Sequence, residues 1–146
     1  MNSMLSCMCT EKWRDHAHFI LRVVTGFIFF YHGYQKVFVM GHEAVTGFFA
    51  GAGIPFASVC AFLVSYGELL GGIALMFGFL THWVAKAFIL ITLGAIGFVH
   101  FANGFSGAGG YEYALLLLAV SIYFLTVGSG KWSIDANSKK MKEGTN

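Results

Sequence analysis

The second apolar segment of the chain reads ASVCAFLVSYGELLGGIALMFGFL, from Ala57 to Leu80. Glu68 is its one charged residue, and the segment exceeds the roughly 20 residues that a helix needs to cross the apolar core of a bilayer. Backbone amide groups find no water inside a bilayer, so a segment of this kind folds as a helix. This stretch therefore predicts a membrane-spanning helix.

Three other segments share this apolar character. They run from Phe19 to Val39, from Val84 to Ala102 and from Tyr111 to Val127. Short connectors join the segments, and such connectors make consecutive helices antiparallel neighbours. The sequence therefore predicts an all-α integral membrane four-helix bundle with up-down topology, its spans covering residues 19–39, 57–80, 84–102 and 111–127.

The overall composition fits this prediction, because 57% of the residues are hydrophobic and 11% are charged. A soluble domain of this size needs a charged shell that these residues do not supply. The net charge of +2 is too small for a nucleic-acid-binding face. Cys7, Cys9 and Cys60 are too few for a disulfide framework or a closed zinc site. We predict no metal site and assign the Cys7 and Cys9 pair no role.

Basic residues flank the spans unevenly. They lie before the first span (Lys12, Arg14), just after the second connector (Lys86) and after the fourth span (Lys131, Lys139, Lys140, Lys142). Cytoplasmic segments of membrane proteins carry an excess of Lys and Arg. We therefore expect a membrane domain at 19–127 and two tails, residues 1–18 and 128–146, that both lie in the cytoplasm.

Five ionisable residues lie within the predicted spans or at their outer ends: His32, Lys36, Glu68, His100 and Glu112. A charge at the centre of a membrane helix costs about 2.5–3.5 kcal/mol by insertion scales, so such residues are functional candidates. His32 and Lys36 are four residues apart and share a helix face. The pattern predicts a polar chamber in the outer half of the bundle that binds a polar head group or relays protons.

A purely structural alternative stays open. In this alternative, Lys36 pairs with Glu68 or Glu112 only to make its burial tolerable. Arg22, near the cytoplasmic end of the first span, is expected to reach the interface with its long side chain and to act as an anchor. The glycines within the spans are expected to allow close helix packing.

Taken in order along the chain, these motifs resemble the DoxX family of membrane proteins. The resemblance rests on Arg22 with Gly26, His32-Gly33 followed by Lys36, Gly53-Ile54-Pro55, Glu68 followed by Gly71-Gly72, His100, Gly110-Tyr111-Glu112-Tyr113, and the stretch from Gly128 to Asp135. It covers nearly all of the chain between Arg22 and Asp135. The family pattern picks out the same five candidate residues.

The resemblance implies a multi-pass protein of the bacterial inner membrane. Members of the family are described as small subunits of a thiosulfate:quinone oxidoreductase and as membrane partners of redox-defence enzymes. We therefore expect a redox-associated or quinone-linked subunit whose ligand is a non-covalently bound quinone. The sequence has no dinucleotide fingerprint, haem-attachment motif or iron–sulfur cysteine set, so a partner subunit or the quinone pool must supply the electron carrier.

A second hypothesis stays beside the first. The chain would then be a small transport, scaffold or assembly protein of the membrane, without catalysis of its own. A homo-oligomer is compatible with either hypothesis, since the glycine-lined helix faces allow close docking.

Overall fold

The computed structural model describes residues 11–143, and within that range the chain forms helices and no strand. The α-helices are α1 (Glu11–Tyr34), α2 (His42–Gly51), α3 (Ala57–Phe77), α4 (Thr81–Gly94), α5 (Glu112–Val127) and α6 (Ile134–Glu143). Two of them continue as π-helical segments, α1 through Gln35–Met40 and α4 through Ala95–His100. The all-helical part of the fold prediction is confirmed.

Helix α2 lies inside the predicted connector at 40–56, where the sequence analysis placed no helix. Two positive-φ glycines bracket it, Gly41 (φ 80°) and Gly53 (φ 76°), and a backbone of this kind favours glycine because it has no Cβ. Val45 and Phe49 lie four residues apart, one helical turn, and both pack on Ala61 of α3. This small apolar cluster fixes α2 against the first half of α3.

Helix α1 packs most extensively on α3, and glycines make the contact close. A Cβ added to Gly26 would lie 2.8 Å from the carbonyl oxygen of Gly72, and one added to Gly72 would lie 2.7 Å from the Cα of Phe30. Small residues at such positions let membrane helices approach until their backbones touch. The packing role expected for the span glycines is thus seen here, whereas Gly94 and Gly97 have open space beside them.

The main apolar core joins α1, α3, α4 and α5. It consists of the buried residues Phe29, Leu75, Ala85, Phe88, Leu117 and Phe124. Phe29 and Phe88 stack face to face, with ring centroids 3.6 Å apart and an interplanar angle of 12°. This stack ties α1 to α4 near the middle of the molecule.

Two helical stretches, Ala57–Phe77 and Thr81–Asn103, are long and apolar enough to cross a bilayer. Helix α5 is apolar but shorter, and polar residues such as Arg22 and His32 interrupt α1. Large apolar side chains cover the outside, including Leu70, Leu90 and Leu116, and Leu90 is 72% exposed. An exposed apolar surface of this extent is suited to contact with lipid. The arrangement of four spans stays a prediction.

Candidate functional site

The central feature of the candidate site is an ion pair between α1 and α3. Nζ of Lys36 lies 2.5 Å from Oε2 of Glu68, and the two side chains are 20% and 8% exposed. Glu68 projects from the middle of α3, and Lys36 follows directly after α1 in the first π-helical segment. The structure therefore selects Glu68, and not Glu112, as the partner of Lys36.

The position of this pair depends on the glycine contact next to it. Gly33, one turn before Lys36, lies against the backbone of Leu69, and an added Cβ would lie 2.6 Å from the Cα of Leu69. This close approach brings Lys36 within reach of Glu68. The remaining 20% exposure of Lys36 leaves room for contact with a further group.

His32 joins the pair from the same face of α1. It is half-buried, and Lys36, one turn further on, places a positive charge beside its ring. The His32 ring also lies beside Tyr113 of α5, with ring centroids 6.2 Å apart. His32, Lys36 and Glu68 form one cluster, which we call the polar site. Tyr113, which the sequence analysis left out of its candidates, borders it.

Irregular helix geometry accompanies two of the candidates. Lys36 lies in the π-helical segment Gln35–Met40, and His100 ends the segment Ala95–His100. Single π-helical turns are rare and often occur at functional sites. The extra residue in each turn changes the direction of the side chains that come after the segment, so helical periodicity alone does not give the positions of those later residues.

His100 holds the loop between α4 and α5. Its Nδ1 donates a hydrogen bond to the carbonyl oxygen of Gly109 (2.8 Å), and Asn103 Nδ2 donates to the same oxygen (3.1 Å). Nε2 is therefore the ring nitrogen that His100 still offers to a ligand. Over residues 11–143, no hydrogen bond or ion pair joins His100 to the polar site.

Glu112 is also separate from the polar site. It is exposed at the first turn of α5, and within the described part of the chain its carboxylate forms no ion pair. A negative charge at this position interacts favourably with the amino-terminal end of the helix dipole. Three of the five predicted residues are brought together, while His100 and Glu112 lie outside that cluster.

The opposite end of the molecule holds a polar cluster that the sequence analysis missed. Arg22 is 1% exposed, and its guanidinium donates hydrogen bonds to the backbone carbonyls of Ser129 and Trp132. The expectation that Arg22 reaches the interface as an anchor is therefore wrong. The segment Gly128–Asp135, which we call the C-terminal clip, folds over Arg22 and supplies these backbone acceptors, whose positions cannot be read from the sequence.

Asp135 completes the clip. Its two carboxylate oxygens accept hydrogen bonds from the backbone amides of Leu80 (2.9 Å) and Thr81 (3.0 Å), which cap the start of α4. Its own amide donates to the carbonyl of Gly78 (3.0 Å). Leu80 has a positive φ of 50°, uncommon for a residue with a Cβ, and these bonds hold it in place. The clip thereby joins α1, α4 and the turn after α3.

A surface groove of about 590 Å³ lies beside the clip, between the start of α4 and the end of α5. Its lining includes Thr81, His82, Trp83, Leu125 and Asp135. None of the five sequence-predicted residues lines this groove. Its most polar member, Asp135, already binds two backbone amides, so we assign the groove no ligand.

The structure describes no group of three or more His, Cys, Asp or Glu side chains that could hold a metal ion between residues 11 and 143. Cys7 and Cys9 lie outside the described residues. The expectation of a site without metal stays a prediction.

Comparison with known proteins identifies the family. The family model described as DoxX matches residues 17–101, a region that contains His32, Lys36, Glu68 and His100. No solved structure gives a significant match.

Three curated proteins are similar over most of their length. "Putative oxidoreductase CatD" of Bacillus subtilis is 37% identical over 127 residues, 87% of this chain and 90% of its own. An "Uncharacterized protein" of Haemophilus influenzae is 30% identical, over 86% of this chain and 92% of its own. A Mycobacterium tuberculosis protein named as an uncharacterized membrane protein is 29% identical, over 82% of this chain and 80% of its own. The family model and the extent of these matches show that the chain belongs to the DoxX family.

Proposed function

We propose that the chain is a redox-associated or quinone-linked subunit of the bacterial inner membrane, with its ligand site at His32, Lys36 and Glu68. The observation that carries the proposal is the buried Lys36–Glu68 pair, 2.5 Å long, with His32 beside it in an apolar set of helices. Charges in such surroundings are costly and are usually retained for binding or proton transfer. The name of the Bacillus subtilis relative, "Putative oxidoreductase CatD", supports a redox role.

The proposed topology has four spans, formed by α1, α3, α4 and α5, with both ends of the chain in the cytoplasm. The clip contacts support it, because they bring Arg22 of α1, Gly78 after α3 and Thr81 of α4 to the same end of the molecule. The basic residues Arg14 and Lys131 lie at that end too, as expected for a cytoplasmic side. A reporter fused to the carboxyl end is expected to read cytoplasmic, and an external signal would contradict this topology.

In this proposal each residue of the polar site has a separate task. The Lys36 ammonium donates a hydrogen bond to a carbonyl-type oxygen of a quinone ring. Glu68 then accepts or returns a proton, and His32 links the pair to the outside, as imidazoles do in proton relays. His100 and Glu112 stay outer candidates, the first through its Nε2, which is not bonded to any of the residues that the structure describes. Electrons come from a partner subunit or from the quinone pool.

Ligand binding is tested with purified protein in lipid bilayers, titrated calorimetrically with a short-chain benzoquinone and a short-chain naphthoquinone. Saturable binding is expected for the native chain and its loss for Lys36→Met and for Glu68→Gln. Lys86→Met is the matched control, since Lys86 is exposed and rests over the Trp83 ring. The ligand proposal fails if no quinone saturates the protein or if all three variants bind alike.

One observation favours the second candidate function, a scaffold or transport protein without chemistry. Lys36 already has a full partner in Glu68, so the two charges neutralise each other without a ligand. In this case the quinone titrations show no saturation, and the pair contributes only to helix register.

A further inference from the structure

The polar site rests on a closed apolar layer on the side of the C-terminal clip. Phe29, on α1 about one turn before His32 and Gly33, is 2% exposed, and its stacking partner Phe88 is 1% exposed. Leu75 lies two turns after Glu68 on α3 and belongs to the same core. Interiors of this kind pack to crystal-like density, and their apolar voids stay dry. The hydroxyls of two buried polar residues near this layer, Thr92 and Ser121, donate to the backbone carbonyls of Phe88 and Leu117 on their own helices, so we expect the layer to exclude water.

The seam between α1 and α3 is closed as well. Gly26 meets Gly72, and Gly33 meets Leu69, each pair with backbone against backbone. Helices whose backbones touch leave no space between them for water or a small ligand. Neither the core nor this seam leads from the polar site toward the clip.

The polar site is open in the other direction. Exposure rises from Glu68, at 8%, in the middle of α3, to Lys36, at 20%, just beyond the end of α1. Tyr113, beside His32, is 46% exposed. The accessible surface of the polar site, at Lys36 and Tyr113, thus lies toward the end of the molecule where α1 ends and α5 begins.

We infer that the polar site is a dead end that exchanges ligand and protons with one side of the membrane only, the side on which α3 begins. The Phe29–Phe88 stack, which we call the floor of the polar site, closes the site on the side of the clip. The inference rests on the proposed function for the identity of the ligand, but the direction of access follows from the packing alone.

Access is measured with single-cysteine variants in a background carrying Cys7→Ser, Cys9→Ser and Cys60→Ser. His32→Cys reports whether the polar site is accessible, and Tyr113→Cys reports on the exposed surface beside it. Ser58→Cys, which is exposed at the start of α3, identifies the side of the membrane on which α3 begins. Right-side-out and inverted membrane vesicles are each treated with a charged, membrane-impermeant maleimide. His32→Cys and Tyr113→Cys are expected to be labelled in the same vesicles as Ser58→Cys and to lose labelling in the opposite ones.

The floor is tested by adding Phe29→Ala and Phe88→Ala to His32→Cys, which removes the stack and leaves a cavity. Labelling of His32→Cys should then also occur in the opposite vesicles. Phe27→Ala, which removes an exposed ring from the same helix, is the control and should leave this labelling confined to one vesicle orientation. Tyr113→Cys keeps the experiment informative if His32→Cys does not fold. Labelling from both sides in the starting variants, from the clip side alone or from neither side would overturn the inference. These outcomes do not depend on whether a quinone binds.

Discussion

Gly33 of α1 and Leu69 of α3 are in direct backbone contact. A Cβ at position 33 would lie 2.6 Å from the Cα of Leu69 and 2.9 Å from the carbonyl carbon of Glu68. Non-bonded carbon atoms repel each other strongly at such distances, and a close-packed interior has no free space into which they could move. The contact therefore sets the separation of α1 and α3 next to the Lys36–Glu68 pair.

Replacing Gly33 with Ala should push the two helices apart. Overpacking of a closed contact typically costs about 1–3 kcal/mol. We expect a lower temperature of thermal unfolding in detergent and weaker quinone binding. Gly94→Ala is the control, because nothing lies within 4 Å of the position and Ala favours the helix over Gly by up to ~1 kcal/mol. Equal losses at both positions would show that the α1–α3 contact is not the cause.

Replacing Asp135 with Ala should loosen the start of α4. Two backbone amides, those of Leu80 and Thr81, lose their acceptor, and removal of a capping side chain costs about 0.5–2 kcal/mol. Asp15→Ala is the control, since its ion pair with Lys131 (2.8 Å) lies near the surface, with side chains 25% and 64% exposed, and surface pairs contribute about 0–1 kcal/mol. Thermal unfolding compares the two variants, and a larger loss for Asp15→Ala would refute the capping role of Asp135.

The sequence was sufficient to predict those features whose signal lies within a single helix. The apolar stretch of α3 predicts a helix by its length, and the spacing of His32 and Lys36 predicts their shared face. The cost of isolated charges predicts that Lys36 has a partner, although not which one. These features depend on local periodicity and on the bilayer, both of which act on one segment at a time.

The missed features depend on residues that are far apart in the chain. The acceptors of Arg22 are the carbonyls of Ser129 and Trp132, more than 100 positions away, and backbone carbonyls leave no trace in a sequence. Helix α2 had a signal, the four-residue spacing of Val45 and Phe49, but its ten residues are too short to span a membrane. The separation of His100 from the polar site follows from its bond to Gly109, which forms only after the loop folds.

Replacing Arg22 with Met should release the C-terminal clip while keeping most of the apolar stem of the side chain. Each hydrogen bond from a charged donor contributes about 1.5–3 kcal/mol, and two such bonds to the clip are lost. We expect faster tryptic cleavage after Lys131, which lies in the clip, and a lower temperature of thermal unfolding. Arg14→Met removes an exposed guanidinium from the same helix and should leave both measurements unchanged. A clip that stays resistant to trypsin in Arg22→Met would argue against its attachment through Arg22.

A double-mutant cycle on Lys36 and Glu68 measures how strongly the two charges depend on each other. Lys36→Met leaves the buried carboxylate of Glu68 without its partner, a loss that typically costs about 3–5 kcal/mol, whereas Glu68→Gln leaves the partly exposed Lys36 and should cost less. The double variant removes both charges and should be more stable than at least one single variant, because no uncompensated charge remains. Unfolding of the four proteins in the same detergent gives the coupling energy, and additive effects would show that the pair is not coupled. Restored stability in the double variant together with lost quinone binding would separate the two roles, since the charges would then be needed for the ligand and not for the fold.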